Sequence, residues 1–183
     1  MGLELIPAYG RQEEIMTLFT EYTDMLMEAD PTVRQYLILQ HYEKELERPE
    51  SKYGMPEGRL YLAYWDGRLA GCIGLRKLDE ERGELKRLYV RSDFRGHQIG
   101  EQLIRRILDD ARKIGYRHVL LDTLPFLHSA IRLYRKIGFY EIDCYNNSPM
   151  ETTIFRNMTY KEQVYGYHTG LYRIRLRTSA GLR

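Results

Sequence analysis

The sequence predicts an α+β fold: a mixed, mostly antiparallel twisted sheet flanked by helices, in the element order βααβββαβαββ, with a C-terminal extension. Three observations predict it. Three strand-like runs with tight turns between them lie between Arg59 and Val90, the spacing of antiparallel neighbours. The stretch Glu84 to Gln102, ELKRLYVRSDFRGHQIGEQ, begins as a strand and opens a helix through a glycine-containing turn. Beyond that helix, strand-like and helical runs alternate to about Met158, as they do where helices cover a sheet.

Leu3-Glu4-Leu5-Ile6 reads as a short first strand stopped by Pro7 and Gly10. From Gln12 to Ala29 the apolar residues Ile15, Met16, Leu18, Phe19, Tyr22, Met25 and Leu26 recur at steps of three and four, as in an amphipathic helix. Asp30-Pro31 ends that helix, because proline cannot continue it and restricts the residue before it. A second helical stretch runs from Val33 to Leu46, and Pro49 to Gly58 reads as a loop. Arg59 to Trp65 and Leu69 to Leu75 are strands joined by the hairpin signal Asp66-Gly67, with Gly71 and Gly74 as bulge candidates. Glu80 to Gly83 turns the chain into the strand carried by Leu85, Leu88, Tyr89 and Val90. The next helix places Leu103, Ile104, Ile107, Leu108, Ala111 and Ile114 on one face and ends at Gly115. Arg117 to Thr123 reads as a buried strand, His128 to Ile137 as a short helix capped by Gly138, and Phe139 to Asp143 and Thr153 to Met158 as the last core strands.

A chain of 183 residues suits one domain with a substantial core. Its 43% hydrophobic and 30% charged residues are those of a soluble globular protein, and its net charge of +2 gives no global attraction to nucleic acid. No apolar stretch approaches the ~20 residues of a membrane span. No basic segment followed by an apolar run marks a signal peptide, so the expected location is cytoplasmic, with no membrane partner. Cys72 and Cys144 lack metal-ligand spacing and fall in strand-like segments; both are expected as buried free thiols in a protein without a metal.

The turn Phe94-Arg95-Gly96-His97-Gln98-Ile99-Gly100 sets backbone N–H groups and a cation at a helix N-terminus. The first N–H groups of a helix have no intrahelical partner, and the peptide dipoles add positive charge there. The result is an anion site of the kind phosphates occupy. Neither the Gly-Lys-Ser/Thr of a Walker loop nor the Gly-x-Gly-x-x-Gly of a dinucleotide site is present. The turn resembles the pyrophosphate loop of the GNAT acetyltransferase superfamily, Arg/Gln-x-x-Gly-x-Gly/Ala. Arg95, Ile99 and Gly100 match, Gly96 fits the common Arg-Gly opening, and Gln98 stands where the family usually has Gly. Ala130 to Phe139, by itself a short amphipathic helix with a glycine cap, resembles the family segment A-x-x-L-Y-x-x-x-G-F. Glu84 to Val90, E-x-K-R-L-Y-V, is typical of a group of small bacterial acetyltransferases. The resemblance runs from about Leu3 to Met158.

The resemblance implies acetyl-CoA as co-substrate and transfer of its acetyl group, by direct attack, to a primary amine of a small molecule, amino acid or peptide N-terminus. It implies that Arg95, Gly96, His97, Gln98, Ile99, Gly100 and Glu101 hold the pyrophosphate. It implies that Leu88, Tyr89 and Val90 offer backbone groups to the thioester and the pantetheine arm. Glu84 matches the family's general base, which sometimes acts through water, and Tyr134 the tyrosine that protonates the departing thiolate. From the residues alone, Glu84 is as well read as a strand-end carboxylate paired with Lys86 or Arg87, and Tyr134 as a helix tyrosine packed on the core. Leu127 stands where the family often has an Asn that orients the cofactor. A non-catalytic acyl-CoA-binding or partner-binding module on the same fold would keep Arg95 to Gly100 and have no need of Glu84 or Tyr134.

Residues 1–159 are thus expected to form a single GNAT acetyltransferase domain and 160–183 a C-terminal extension. Tyr172 to Arg177 alternates apolar and basic residues, as an added edge strand whose arginines oppose sheet-to-sheet association. A homodimer contact or a substrate-closing flap is the alternative use of the tail. The basic stretch is too short to mark a nucleic-acid surface. The helices from Met16 to Glu47 and the loop from Pro49 to Gly58 are expected to line the acceptor pocket. Their Glu43, Glu45, Glu47 and Glu50 hint at a cationic acceptor, unless they form a solvated helix face.

Overall fold

The computed structural model describes residues 2–146, 148, 152–165 and 173–178. Strand β1, Leu3–Pro7, leads into helix α1, Gln12–Ala29, and then into three short helices: α2, Val33–Leu39, α3, Tyr42–Glu47, and α4, Glu50–Tyr53. Three strands follow: β2, Arg59–Trp65, β3, Arg68–Lys77, and β4, Arg82–Val90. A 3-10 turn at Ser92–Phe94 precedes α5, Ile99–Ile114. The chain continues through β5, His118–Thr123, α6, His128–Ile137, β6, Tyr140–Ile142, β7, Ile154–Tyr165, and β8, Arg173–Thr178. Seven strands lie side by side in the order β1-β2-β3-β4-β5-β7-β6, and β8 pairs with β7. Every pairing is antiparallel except that of β4 with β5. This is the mixed, mostly antiparallel open sheet that the pattern of runs predicts, flanked by helices as expected.

Alternation along each strand decides which residues meet which helices. In β2, Tyr61 and Ala63 join a core cluster with Leu103, Ile104 and Ile107 of α5. Leu60 and Leu62, one residue out of phase, pack with Ile15, Leu18 and Phe19 of α1 on the opposite face. Each such fully buried side chain stabilises the fold by roughly 1.5–3 kcal/mol relative to exposure. Asp66 and Gly67, with φ of 47° and 75°, turn the β2–β3 hairpin as two left-handed residues, the turn whose twist suits paired strands. Arg91 fastens α1 over the end of β4 with two hydrogen bonds to Glu21, at 2.8 and 2.7 Å.

The structure differs from the expected elements in four places. The helix expected over Val33 to Leu46 breaks at Gln40-His41, where His41 is left-handed with φ 54°. The Gln40 carbonyl there accepts a hydrogen bond from Lys52 Nζ at 2.7 Å, and Glu45 is turned into the protein. The loop expected over Pro49 to Gly58 contains the single turn α4. Strand β6 stops at Ile142, so Cys144 lies outside it and is exposed, while Cys72 is buried as expected. Strand β7 runs past Met158 to Tyr165, its outer part paired with β8 from Tyr160↔Thr178 to Tyr165↔Arg173. Tyr172, with which the expected tail strand begins, lies outside the described residues. Among the described residues no helix is long and apolar enough to cross a membrane.

Candidate active site

The site begins with a fault in β4. Cys72 of β3 faces Tyr89, yet Gly74 faces Lys86, so β4 spends one extra residue between these pairs. The extra residue is accommodated at Arg87, which is left-handed with φ 56°. Such a bulge leaves backbone groups outside the ladder and bends the strand. Gly71 is required beside it, because a Cβ there would lie 2.4 Å from the Tyr89 carbonyl oxygen. Of the bulge candidates expected on β3, Gly71 adjoins an inserted residue, Ala70, in the pairing with β2, while Gly74 leaves room for the Tyr53 ring, 2.7 Å from where a Cβ would lie.

On its other side β4 leaves β5 almost at once. The two pair only from Arg82↔His118 to Glu84↔Leu120, while β5 continues beside β7 to Thr123. Past Glu84 the strands splay and open a cleft. At its floor is a cavity of about 40 Å³ lined by residues that include Tyr36, Lys86, Leu88, Asp122, Thr123 and Tyr134. That volume holds a few atoms or ordered waters.

At the outer end of β4 lies the phosphate-loop candidate. Phe94 is buried and anchors it, while Arg95, Gly96, His97 and Gln98 are exposed. Gly96 has φ 90° and Gln98 has φ 59°. The second angle explains why the related pattern favours glycine at this position: Gln98 occupies a left-handed conformation that costs an L-residue roughly 1–2 kcal/mol. The first intrahelical bond of α5 runs from Gln102 N to Gln98 O at 3.1 Å, so the N–H groups of Ile99, Gly100 and Glu101 precede it and are free of the helix ladder. No side chain caps this end. The Glu101 carboxylate is taken by Arg105 at 2.7 Å and Lys136 at 2.6 Å. The His97 ring stacks on Trp65 at 4.3 Å between centroids. The loop therefore fits an anion: donors, cations and an exposed backbone converge on it.

Beneath α2 and α3 lies a charged network that sequence inspection did not assemble. Glu84 is fully buried, accepting from the Tyr145 hydroxyl at 2.7 Å and from Arg76 Nε. Lys86 Nζ stands 4.0 Å from Glu84 and donates to Asp122 at 2.8 Å. Asp122 also accepts from the Tyr36 hydroxyl and from Asn146 at 3.0 Å. Burial raises the Asp122 carboxyl pKa, but Lys86, Tyr36 and Asn146 outweigh it and hold the group down at about 2. The same burial, with the Asp122 charge, pushes the Tyr36 hydroxyl well up. Arg87 donates to Glu45 at 2.7 and 2.9 Å. Against the opposing effect of burial, Arg87 and Lys52 hold Glu45 at about 2. The cationic-acceptor hint from the helix glutamates loses Glu45, whose charge is already matched inside the protein; Glu43, Glu47 and Glu50 are exposed.

Tyr134 is buried on α6, packed edge-on against Phe139 at 5.7 Å, and faces the cavity. Among the described residues its hydroxyl has no hydrogen-bond partner. Burial, then the Tyr22 and Asp122 groups, push its pKa up. Leu127 sits at the N-cap of α6, where its carbonyl accepts from Ile131 N at 3.0 Å, and packs with Leu124 and Phe126. Glu84 does not line the cavity, whereas Tyr134 and Leu88 do. Asp122, Lys86 and Tyr36, unassigned in the sequence, do as well. Among the described residues no three His, Cys, Asp or Glu side chains converge as a metal site.

The family model of the acetyltransferase (GNAT) family matches residues 15–139. An uncharacterized N-acetyltransferase of Dictyostelium discoideum is 29% identical, over 81% of this chain and 94% of its own length. One of Schizosaccharomyces pombe is 34% identical, over 67% of this chain and 76% of its own. In fold, the PaiA N-acetyltransferase of Thermoplasma acidophilum, solved in complex with coenzyme A, is similar with a TM-score of 0.68 at 18% identity, covering 87% of this chain and 100% of that one. The chain belongs to the GNAT acetyltransferase family and is an acetyl-CoA-dependent acyltransferase.

Proposed function

We infer that the protein transfers the acetyl group of acetyl-CoA directly to a primary amine of a small molecule, amino acid or peptide. The observation that carries this reading is the bulged, splayed β4 beside the uncapped N-terminus of α5. It offers a backbone edge for a pantetheine arm, which can add to it as a strand does, and an anion site at the end of that edge.

Acetyl-CoA supplies an activated thioester carbonyl. Arg95 to Glu101 hold its pyrophosphate, chiefly through the N–H groups of Ile99, Gly100 and Glu101. Backbone groups of Leu88 to Val90, released by the bulge, meet the arm and the oxygen on which charge develops during attack. An alkyl ammonium has a pKa near ~10 and must lose its proton to react. Asp122 faces the cleft but is a weak base, because three donors hold it anionic. Glu84 takes the proton from behind them, through a water or the Tyr145 hydroxyl that touches it at 2.7 Å. Tyr134 gives a proton to the leaving thiolate. Its raised pKa does not oppose this, since the desolvation that raises the tyrosine also raises a thiol; buried Cys72 in this protein is pushed up strongly.

The test is release of free thiol from acetyl-CoA, followed for the wild type and Glu84→Gln across pH with a panel of primary amines. Amine-dependent release with a changed pH–rate profile for the variant is expected. A profile identical to the wild type removes Glu84 as the base, and no release with any amine removes the acceptor class.

A further inference from the structure

In and behind the cleft the carboxylates are filled, while two cations keep donors to spare. Glu45 takes four bonds, from Arg87 Nε at 2.7 Å, Arg87 Nη2 at 2.9 Å, Lys52 Nζ at 2.6 Å and Tyr53 Oη at 2.8 Å. Asp122 takes three, from Lys86, Asn146 and Tyr36. Glu84, the third carboxylate, is fully buried behind Arg76 and Tyr145. A carboxylate has about four lone-pair sites, so these groups offer an incoming ligand little. The donors stand otherwise. Arg87 is 5% exposed, yet its Nη1 has no partner among the described residues. Lys86 Nζ donates to Asp122 and has no other hydrogen-bond partner among the described residues, its ion-pair distance to Glu84 being 4.0 Å. Thr123 Oγ1 is buried without a partner. All three residues line the same cavity.

A guanidinium nitrogen without a hydrogen-bond partner, beside an ammonium that makes one such bond, calls for an anionic acceptor group; a carboxylate matches the guanidinium and fits a cavity of about 40 Å³. We propose that the amine substrate carries its own carboxylate, as an amino acid does, and that Arg87 Nη1 and Lys86 receive that carboxylate beside the bulge. This rests on the acetyl-transfer reading above and narrows its acceptor from any primary amine to one with an anionic group close to the nitrogen.

Matched sets of acceptors test it on the unaltered protein. Each set holds an L-amino acid, its amide and its decarboxylated amine, for example leucine, leucinamide and 3-methylbutylamine, with thiol release from acetyl-CoA as the readout. In at least one set the amino acid is expected to exceed both analogues in kcat/KM by about 10²-fold or more. Arg87 also holds Glu45, so its removal threatens folding. Lys86 holds Asp122 in turn, but Tyr36 and Asn146 still donate to that carboxylate, so Lys86→Met is the informative variant: with its fold checked by circular dichroism, it narrows the acid-to-amine ratio by about tenfold, with KM for acetyl-CoA unmoved. Amides and amines that match the acid in every set overturn the inference and leave acetyl transfer standing. An unchanged ratio in Lys86→Met overturns the assigned contact. No thiol release from any acceptor overturns both readings.

Discussion

The two ends of the cleft are built by different means. At the phosphate end the features belong to the backbone of one short run: Gly96 at φ 90°, Gln98 at φ 59°, and the free N–H groups that open α5. The side chains of Arg95, His97 and Gln98 are exposed. At the acceptor end the features are buried and half-buried side chains brought together from α2, α3, α4, β3, β4, β5 and the segment after β6: Tyr36, Glu45, Lys52, Arg76, Glu84, Lys86, Arg87, Asp122 and Tyr145. On the proposed reading the first end recognises a charge that every acyl-CoA carries, and needs only donors in a suitable curve. The second must present one geometry, because its inner charges, Glu45, Glu84, Lys86 and Arg87, are desolvated and depend on their partners. A substitution that removes a cation or blocks an N–H at the phosphate end should therefore change ligand affinity with little effect on the fold. One at the acceptor end should cost stability and chemistry together.

The largest expected effect is Arg87→Ala. It strands Glu45, 1% exposed, with Lys52 as its remaining cation, and urea denaturation should show a loss of about 3–5 kcal/mol. A loss below about 1 kcal/mol would remove the contrast between the two ends. Tyr134→Phe comes next and separates chemistry from packing. The ring keeps its edge contact with Phe139, so the thermal midpoint should hold while kcat falls about 10²-fold. Acid titration sharpens the contrast further. Asp122 and Glu45 have folded-state pKa values lowered to about 2. Such groups contribute stability that is fully present above their unfolded pKa, near ~4, and is lost as pH falls through the folded value. Stability measured from pH 5 down to about 2 should decline by an amount on the order of 2 kcal/mol for Asp122 alone, and Asp122→Asn should flatten that part of the slope. The smallest effect is at the phosphate end: Gln98→Gly relieves a left-handed residue and should gain about 0.5–1 kcal/mol, with affinity for CoA kept within about twofold, as both titration calorimetry and melting would report.

This difference in construction also explains what could be read in the chain. The loop was legible because it is contiguous: Arg95 to Gly100 states its own turn, and the helix that follows states its own face. Sheet and helices were legible for the same reason, since β2, β3 and α5 carry periodicities that tertiary packing does not need to correct. The break at Gln40-His41 was not, because its cause, Lys52 reaching the Gln40 carbonyl, lies outside the local pattern. The bulge expected at Gly71 is there, since β3 spends one extra residue, Ala70, against β2; the second bulge, at Arg87 of β4, carries no glycine and gave no local signal. Glu84 was picked out by its position, yet its burial and its partner Tyr145 depend on a fold of the chain 61 residues on. Asp122 sits in a strand of apolar neighbours, where a lone carboxylate gives one usable signal: a charge that must find a partner. The acidic run before β2 suggested a cationic acceptor because composition cannot show that Glu45 already faces Arg87.

We propose that the backbone at the start of α5 holds coenzyme A, and the role of the phosphate end depends on it. Isothermal titration of acetyl-CoA into the wild type and into the Arg95→Ala/Gly100→Glu variant tests it most directly. A Cβ at Gly100 would meet the side-chain ends of Leu133, at 3.3 Å, and Val90, at 3.8 Å, so the variant should keep its circular dichroism spectrum and melting temperature. The carboxylate then sits among the N–H groups meant for the pyrophosphate. Saturable heat is expected for the wild type and none for the variant; equal affinity in two folded proteins removes the loop as the coenzyme A site.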